Sequence, residues 1–283
     1  MLPQSIVQNV QESLNFDEYT ALGGSSLNNV GKLTSDSGSY FIKWNTIDQQ
    51  PVFEAEIAGL HILRKHCGDL IIPEMMLKNS NHAYTWVIFD FIEEKKWQDR
   101  SAEQFGRHLA KLHRNTYTYF GFESDNYIGK LPQKNKQTKK WDEFFIQYRF
   151  LNLLKKAIDK GLISAGFIKN GERLASQLSS IFPNESPSLI HGDLWSGNYM
   201  QYGDQTVLID PAVYFANREI ELAFTRLFGG FPTSFYAGYE SEWPFEPGFE
   251  SRIEIYNLYP LLVHTLLFGA SYASQVMHIL RRY

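Results

Sequence analysis

Asp193, Asn198 and Asp210 are the residues of this sequence best suited to chemistry. The first two stand five apart in "LIHGDLWSGN", residues 189–198, and the third follows twelve positions later in "VLIDP". Phoshoryl transfer from a nucleotide needs such a set. One carboxylate accepts the proton of an attacking hydroxyl, while a carboxamide oxygen and a second carboxylate hold Mg2+ on the phosphates. Asp193 is then the catalytic base facing the substrate, and Asn198 and Asp210 are the metal ligands. His191 braces the loop rather than reacting. D-x-x-x-x-N alone is common in turns; both segments in this order are not.

The same order, D-x-x-x-x-N followed by a metal-binding Asp, resembles the protein kinase catalytic motif. A kinase also needs a nucleotide cradle, and the first ninety residues contain its parts. "GGSSLNNVGKL", 23–33, can form a strand–turn–strand whose N–H groups face phosphates, with Gly23, Gly24, Ser25 and Ser26 at its tip. In "YFIKWN" strand alternation puts Phe41 and Lys43 opposite Tyr40, Ile42 and Trp44. Lys43 can then reach the α- and β-phosphates. Glu56 shares a helical stripe with Leu60, Leu63 and Cys67, and a carboxylate on an inward stripe is costly without a cation. Lys43 is its natural partner, in the ion pair with which kinases position the nucleotide; the alternative is that Glu56 snorkels to water. Adenine is expected against backbone groups of Asp90, Phe91 and Ile92, which have no side-chain signature. The Trp195 indole either packs on the substrate or anchors its loop to the core.

These residues must be positioned by two kinds of architecture. Residues 3–15 read as a short amphipathic helix, 21–45 as a hairpin turning at "SDSG", 51–68 as a helix from Pro51 to Gly68, and 83–94 as a strand into a linker. From Ser101 the pattern is helical: 101–116, with Phe105, Leu109 and Leu112 on one stripe, then 141–161, 164–182, 218–231 and 254–282. Residues 121–140 read as a loop and "TVLIDPA" as a short strand. The expectation is an α+β, protein-kinase-like fold of two lobes, a small β-rich N-lobe over 1–92 and a larger, mainly helical C-lobe over 93–283.

Composition sets bounds. The 283 residues carry a net charge of −4, without the basic excess of a nucleic-acid binder. The single cysteine, Cys67, excludes an intramolecular disulfide and fits a cytoplasmic setting. The N-terminus lacks the pattern of a signal peptide, and "LYPLLVHTLLFGASYA" is short for a membrane span and holds Pro260 and His264, so it reads as a buried helix. No membrane or nucleic-acid partner is expected, and the chain is taken as a monomer.

"HGDLWSGN", with "FEAEIAGLHIL" before it, "NREIELAFTRLFGGF" after it and "FGFESDNYIGKLPQKN" at 120–135, resembles the fructosamine kinase (ketosamine 3-kinase) family, related to aminoglycoside and choline phosphotransferases. The resemblance spans nearly the whole chain. It implies transfer of phosphate from ATP, with Mg2+, to O3 of a ketosamine such as a fructosamine or ribulosamine, carried on a small amine or a protein lysine. Loss of the phosphorylated adduct would free the amine, a deglycation step. It also implies that Asn126 to Gly129 and Glu219 border the acceptor. The chain departs from relatives in its glycine loop, "GGSSLNN", where they often have a third Gly and a Cys. "DPA" stands where protein kinases have D-F-G, so no regulated activation loop is implied.

Three other readings compete. A kinase for another amino-alcohol or an aminoglycoside would share the fold. A nucleotide-binding pseudokinase would usually have lost Lys43, Asp193, Asn198 or Asp210, and all four are present. A hydrolase built on Ser196 and His191 lacks the G-x-S-x-G elbow and leaves Lys43 and Glu56 unexplained.

Overall fold

The structure, a computed structural model, describes residues 1–23, 27–95 and 100–283. Helix α1 (Gln4–Leu14) leads into strands β1 (Glu18–Ala21), β2 (Asn29–Ser35) and β3 (Gly38–Thr46). Helix α2 (Gln50–His66), β4 (Met75–Ser80) and β5 (Tyr84–Asp90) follow. The strands form one antiparallel sheet in the order β1-β2-β3-β5-β4. The expected turn at 35–38 closes β2 on β3, with Ser35 opposite Gly38. Strand β4 had no signature, because this edge strand is exposed at almost every position and shows no alternation.

Alternation along β3 and β5 sorts the sheet's two faces. Ile42, Trp44, Trp86 and Ile88 pack under α1 with Ile6 and Val10. Val87 and Phe89 face the other way, toward Phe53, Leu60 and Leu63 of α2. Burying each of those three α2 side chains contributes roughly 1.5–3 kcal/mol. This second core continues without a break into the helical part of the chain. The sheet's last strand ends at Asp90 and the first helix of the following part starts at Ser101, with one core shared between them.

The helical part begins with α3 (Ser101–His113) and the small hairpin β6 (Asn126–Ile128) and β7 (Leu131–Gln133), inside the stretch expected as loop. The helix expected over 141–161 is broken: α4 (Trp141–Phe144) runs through a π-helical turn at Phe145–Phe150 into α5 (Leu151–Asp159). Helices α6 (Phe167–Ala175) and α7 (Leu178–Ile181) precede two strand pairs, one nested inside the other. Strand β8 (Ser188–Ile190) pairs with β11 (Tyr214–Ala216), and β9 (Tyr199–Tyr202) with β10 (Gln205–Leu208). The chain closes with α8 (Glu219–Thr225), α9 (Thr233–Glu242), α10 (Phe249–Phe268) and α11 (Ala273–Leu280).

Helix α9 was not apparent from periodicity, because it buries only Phe235, Gly238 and Tyr239, too short a stripe to stand out. A methyl group at Gly106 of α3 would lie 1.9 Å from the Phe235 carbonyl oxygen, and one at Gly238 would lie 2.0 Å from that of Glu103. The two helices thus cross with their backbones in contact. Pro260 sits inside α10, which is buried over most of its length. Among the described residues no helix is long and apolar enough to cross a membrane.

Candidate active site

Two loops form the floor of the site. Residues 191–198 join β8 to β9, and residues 209–213 join β10 to β11. Because the β9–β10 hairpin is nested inside the β8–β11 pair, the loops lie side by side, tied by Ala212 N–H to His191 O at 2.9 Å and Ile209 N–H to Asn198 O at 3.1 Å. Gly192 allows this approach. Its φ is +85°, and a Cβ there would sit 2.0 Å from the Ala212 carbonyl oxygen.

His191 is fully buried and donates from Nε2 to the Ile209 carbonyl at 2.8 Å. Its Nδ1 therefore accepts, from the Asp193 N–H at 3.3 Å. Burial lowers its pKa, which keeps the ring neutral and suits a brace. Asn198 donates from Nδ2 to the Asp193 backbone oxygen at 2.8 Å and to its Oδ2 at 3.0 Å. The two candidate residues are thus joined, and the Asn198 carboxamide oxygen is not used in that contact. Burial first, then the Asp210 carboxylate, push the Asp193 carboxyl well above its ordinary value, against the opposing Asn198 hydrogen bond. A carboxyl raised in this way is a better proton acceptor once ionised.

Lys43 reaches the same floor from the sheet. Its Nζ lies 2.7 Å from Glu56 Oε2 and 2.8 Å from Asp210 Oδ1. Burial alone would lower the Lys43 pKa, but the Asp210 and Glu56 carboxylates hold it above its ordinary value. Burial pushes the Glu56 carboxyl up against the pull of Lys43. Asp210 goes the other way: burial is outweighed by Lys43, and its carboxyl stays below the usual value. Asp210 is also a non-glycine residue with φ +52°, a sparsely populated conformation of the kind that clusters at functional sites.

Other expected residues fall differently. Asp90 and Phe91 give their N–H groups to the carbonyls of Glu74 and Ser39, so among these three the Ile92 amide is the one without such a bond to a described residue. Gly23 lies just beyond the end of β1, while Gly24, Ser25 and Ser26 are outside the described residues. Trp195 is 38% exposed, with its indole folded over Gly197, which argues against the reading that it anchors the loop to the core. Glu219, implied by the resemblance to border the acceptor, does not. It is fully buried and held by two hydrogen bonds from Arg252, at 2.7 and 2.6 Å. Asn126 is also internal: it donates to the Val213 carbonyl at 2.8 Å, accepts from Gln133 and Asn135, and so supports the 209–213 loop from beneath.

Sequence reasoning missed Glu221. Its carboxylate accepts the N–H of Gly192 at 2.6 Å and of His191 at 3.1 Å. His113 Nε2 donates to it at 2.9 Å, and Tyr239 donates to Nδ1 of the same ring at 2.8 Å. A glutamate inside the apolar run "EIELAF" was the available signal, since a buried carboxylate needs several donors.

A β-sheet lobe with a buried Lys–Glu pair over a floor of Asp193, Asn198 and Asp210 defines a phosphotransferase of the protein-kinase-like fold. Comparison with known proteins narrows the class. The family model for fructosamine kinase matches residues 2–283. A probable ketoamine kinase of Vibrio parahaemolyticus is 35% identical, with 96% of each chain covered. The chloroplastic protein-ribulosamine 3-kinase of Arabidopsis thaliana is 34% identical over 93% of this chain and 81% of its own length. The crystal structure of a putative fructosamine-3-kinase from Thermobifida fusca superposes with a TM-score of 0.87 at 30% identity, covering 99% of this chain and 98% of that one. Aminoglycoside phosphotransferase APH(4)-Ia shares the fold, at a TM-score of 0.65 and 13% identity over 97% of this chain and 98% of its own. The chain belongs to the fructosamine kinase family.

Proposed function

We propose that the protein is an ATP-dependent kinase that phosphorylates O3 of ketosamines, the sugar adducts of amines. The carrying observation is the meeting of Lys43, Glu56 and Asp210 beside the Asp193–Asn198 pair. Family membership supplies the substrate class, since relatives are described as ketoamine and ribulosamine kinases. Relatives of known structure at 13–15% identity speak only to the fold, and nothing in the site favours an aminoglycoside.

Asp193 accepts the proton of the O3 hydroxyl as that oxygen attacks the γ-phosphorus. The new O–P bond forms as the bond to the bridging oxygen of ADP breaks, and Asp193 later releases its proton to solvent. Lys43, held by Glu56, pairs with the nucleotide phosphates. The donor set on the floor fits Mg2+: a carboxamide oxygen from Asn198 and a carboxylate from Asp210 are hard ligands, and magnesium keeps few protein ligands beside phosphates. Bound there, the cation would neutralise charge on the transferring group. Asn198 and Asp193 are held by their mutual hydrogen bond, so base and metal ligand keep a fixed relation. A 3-phosphorylated adduct that then decomposes would return the free amine.

The test is incubation with Mg-ATP and either a synthetic fructosamine or a ribulosamine, read by mass spectrometry for one added phosphoryl group and by ADP release. Both signals are expected. Nucleotide turnover with neither adduct modified would overturn the substrate assignment.

A further inference from the structure

We propose that the rings of Phe228, His264, Phe268 and Tyr272 seat the amine carrier of the substrate, and that the enzyme prefers ketosamines whose carrier is apolar or aromatic. The inference rests on the ketosamine reading above and adds what lies beyond the sugar.

Position carries the argument. A narrow crevice behind the catalytic loop is lined by Gly192, Glu221, Phe224 and Pro260. Phe228 lies four residues beyond Phe224, in the turn after α8, and His264 lies one helical turn beyond Pro260 on α10. Their rings form a continuous chain: Phe224 to His264 at 6.5 Å, Phe228 to His264 at 4.6 Å, His264 to Tyr272 at 5.1 Å and His264 to Phe268 at 5.4 Å between centroids. Leu267, the residue before Phe268 on α10, lies beside the β6–β7 turn, with Leu27 also next to Gly129. A methyl group at Gly129 would lie 3.1 Å from Leu267 Cδ1 and 3.2 Å from Leu27 Cδ1. The last two turns of α10 thus run from Pro260, which lines the crevice with Gly192, to Leu267 beside Gly129 and Leu27, and the ring cluster stands on that stretch.

Two further features mark the cluster. Phe228 and Phe268 are 37% and 49% exposed, so two large rings of one cluster meet solvent. Phe228 also has φ +55°, a rare conformation for a bulky residue, followed by Gly229 and Gly230 at positive φ. The strained turn holds the ring out beside His264 instead of letting it fold into the core.

The chemistry selects the occupant. In a ketosamine the amine nitrogen is on C1, two carbons from the C3 that bears the reacting hydroxyl, and the carrier lies beyond it. Ring faces attract a secondary ammonium and bury an apolar group. His264 Nδ1 donates to the Pro260 carbonyl at 2.8 Å, which leaves Nε2 as an acceptor for an ammonium N–H. Among the described residues, no lysine or arginine stacks on these four rings, so their faces are not taken up by a cation of the protein.

The experiment compares kcat/KM for the fructosamines of benzylamine and of glycine in the wild type, Phe228→Ala and Phe268→Ala, with melting temperature as a check on folding. The wild type is expected to favour the benzylamine adduct about tenfold, or about 1.4 kcal/mol. Each variant should lose a large part of that ratio, and Phe268→Ala, half-exposed, tests it without disturbing the core. Equal kcat/KM for both adducts in the wild type, or a ratio unchanged in both variants, would overturn the seat and leave the ketosamine reading intact. A concentration-dependent dimer abolished by Phe268→Ala would also overturn it, making the cluster a contact between copies. Turnover of neither adduct would overturn the ketosamine reading and the seat together.

Discussion

Lys43 Nζ stands 2.8 Å from Asp210 Oδ1 although 167 residues separate them in sequence. The same ammonium holds Glu56 at 2.7 Å, so one side chain ties the sheet, helix α2 and the loop after β10 together.

Lys43→Met leaves Glu56 buried without that cation. Removing one partner of a buried pair costs roughly 3–5 kcal/mol. A clear fall in melting temperature is expected, and with it a fall in turnover, through lost phosphate positioning. Differential scanning fluorimetry and an ADP-release assay check both.

Asp193→Asn separates function from stability. The folded protein holds the Asp193 proton to a higher pH than the unfolded chain does, through burial and then Asp210. Ionising it therefore costs the fold, and this cost grows as pH rises from the unfolded pKa near 4 to the raised native value. At pH 7–8 the variant should melt above the wild type, by about 2–4 °C for each kcal/mol recovered. Turnover should fall about 10²–10⁴-fold while ATP still binds. Melting curves, steady-state rates and nucleotide titration give the three readings.

Glu221→Gln behaves in the opposite sense. Burial would raise the Glu221 carboxyl, but the hydrogen bonds from His113 and the Gly192 amide hold it below its ordinary value. Its stabilisation is present above the unfolded pKa of about 4.3 and is lost as pH falls through the lower native value. The variant should melt below the wild type at neutral pH, and the two curves should converge in acid. Because Glu221 sets the catalytic loop rather than the nucleotide, kcat should drop more than ATP affinity, and thermal scans across pH beside initial rates test the pair of claims.

Trp195→Ala should leave stability within about 0.5 kcal/mol, since the indole is exposed. The KM for the ketosamine should rise several-fold with KM for ATP unchanged. A melting point several degrees lower would show that the indole anchors its loop after all.

Much of this was legible in the sequence because the physics is local. A carboxylate on the α2 stripe and a lysine one strand earlier implied each other, and the alternation of β3 put Lys43 on the inner face. The Asp193–Asn198 spacing likewise fixed two side chains within one loop. What stayed hidden depends on distant segments. Glu221 acts through backbone amides 29 and 30 residues away, and its partner His113 is 108 residues away. Asp210 adopts a left-handed backbone that no residue type announces. Helix α9 buries only Phe235, Gly238 and Tyr239, too short a stripe to announce a helix, and Glu219, placed at the acceptor by resemblance alone, is covered by an arginine 33 residues away.

Helix α2 rests directly on the loop that carries Asp210: a methyl group at Gly59 would lie 3.3 Å from Pro211 Cγ and 3.4 Å from Val213 Cγ2. Phe53, Leu60 and Leu63 of the same helix are rooted in the core shared with the helical part. Swinging this helix outward, the usual way a signalling kinase is silenced, would tear open the centre of the molecule. The Lys43–Glu56 pair is therefore set by the same packing that closes the core.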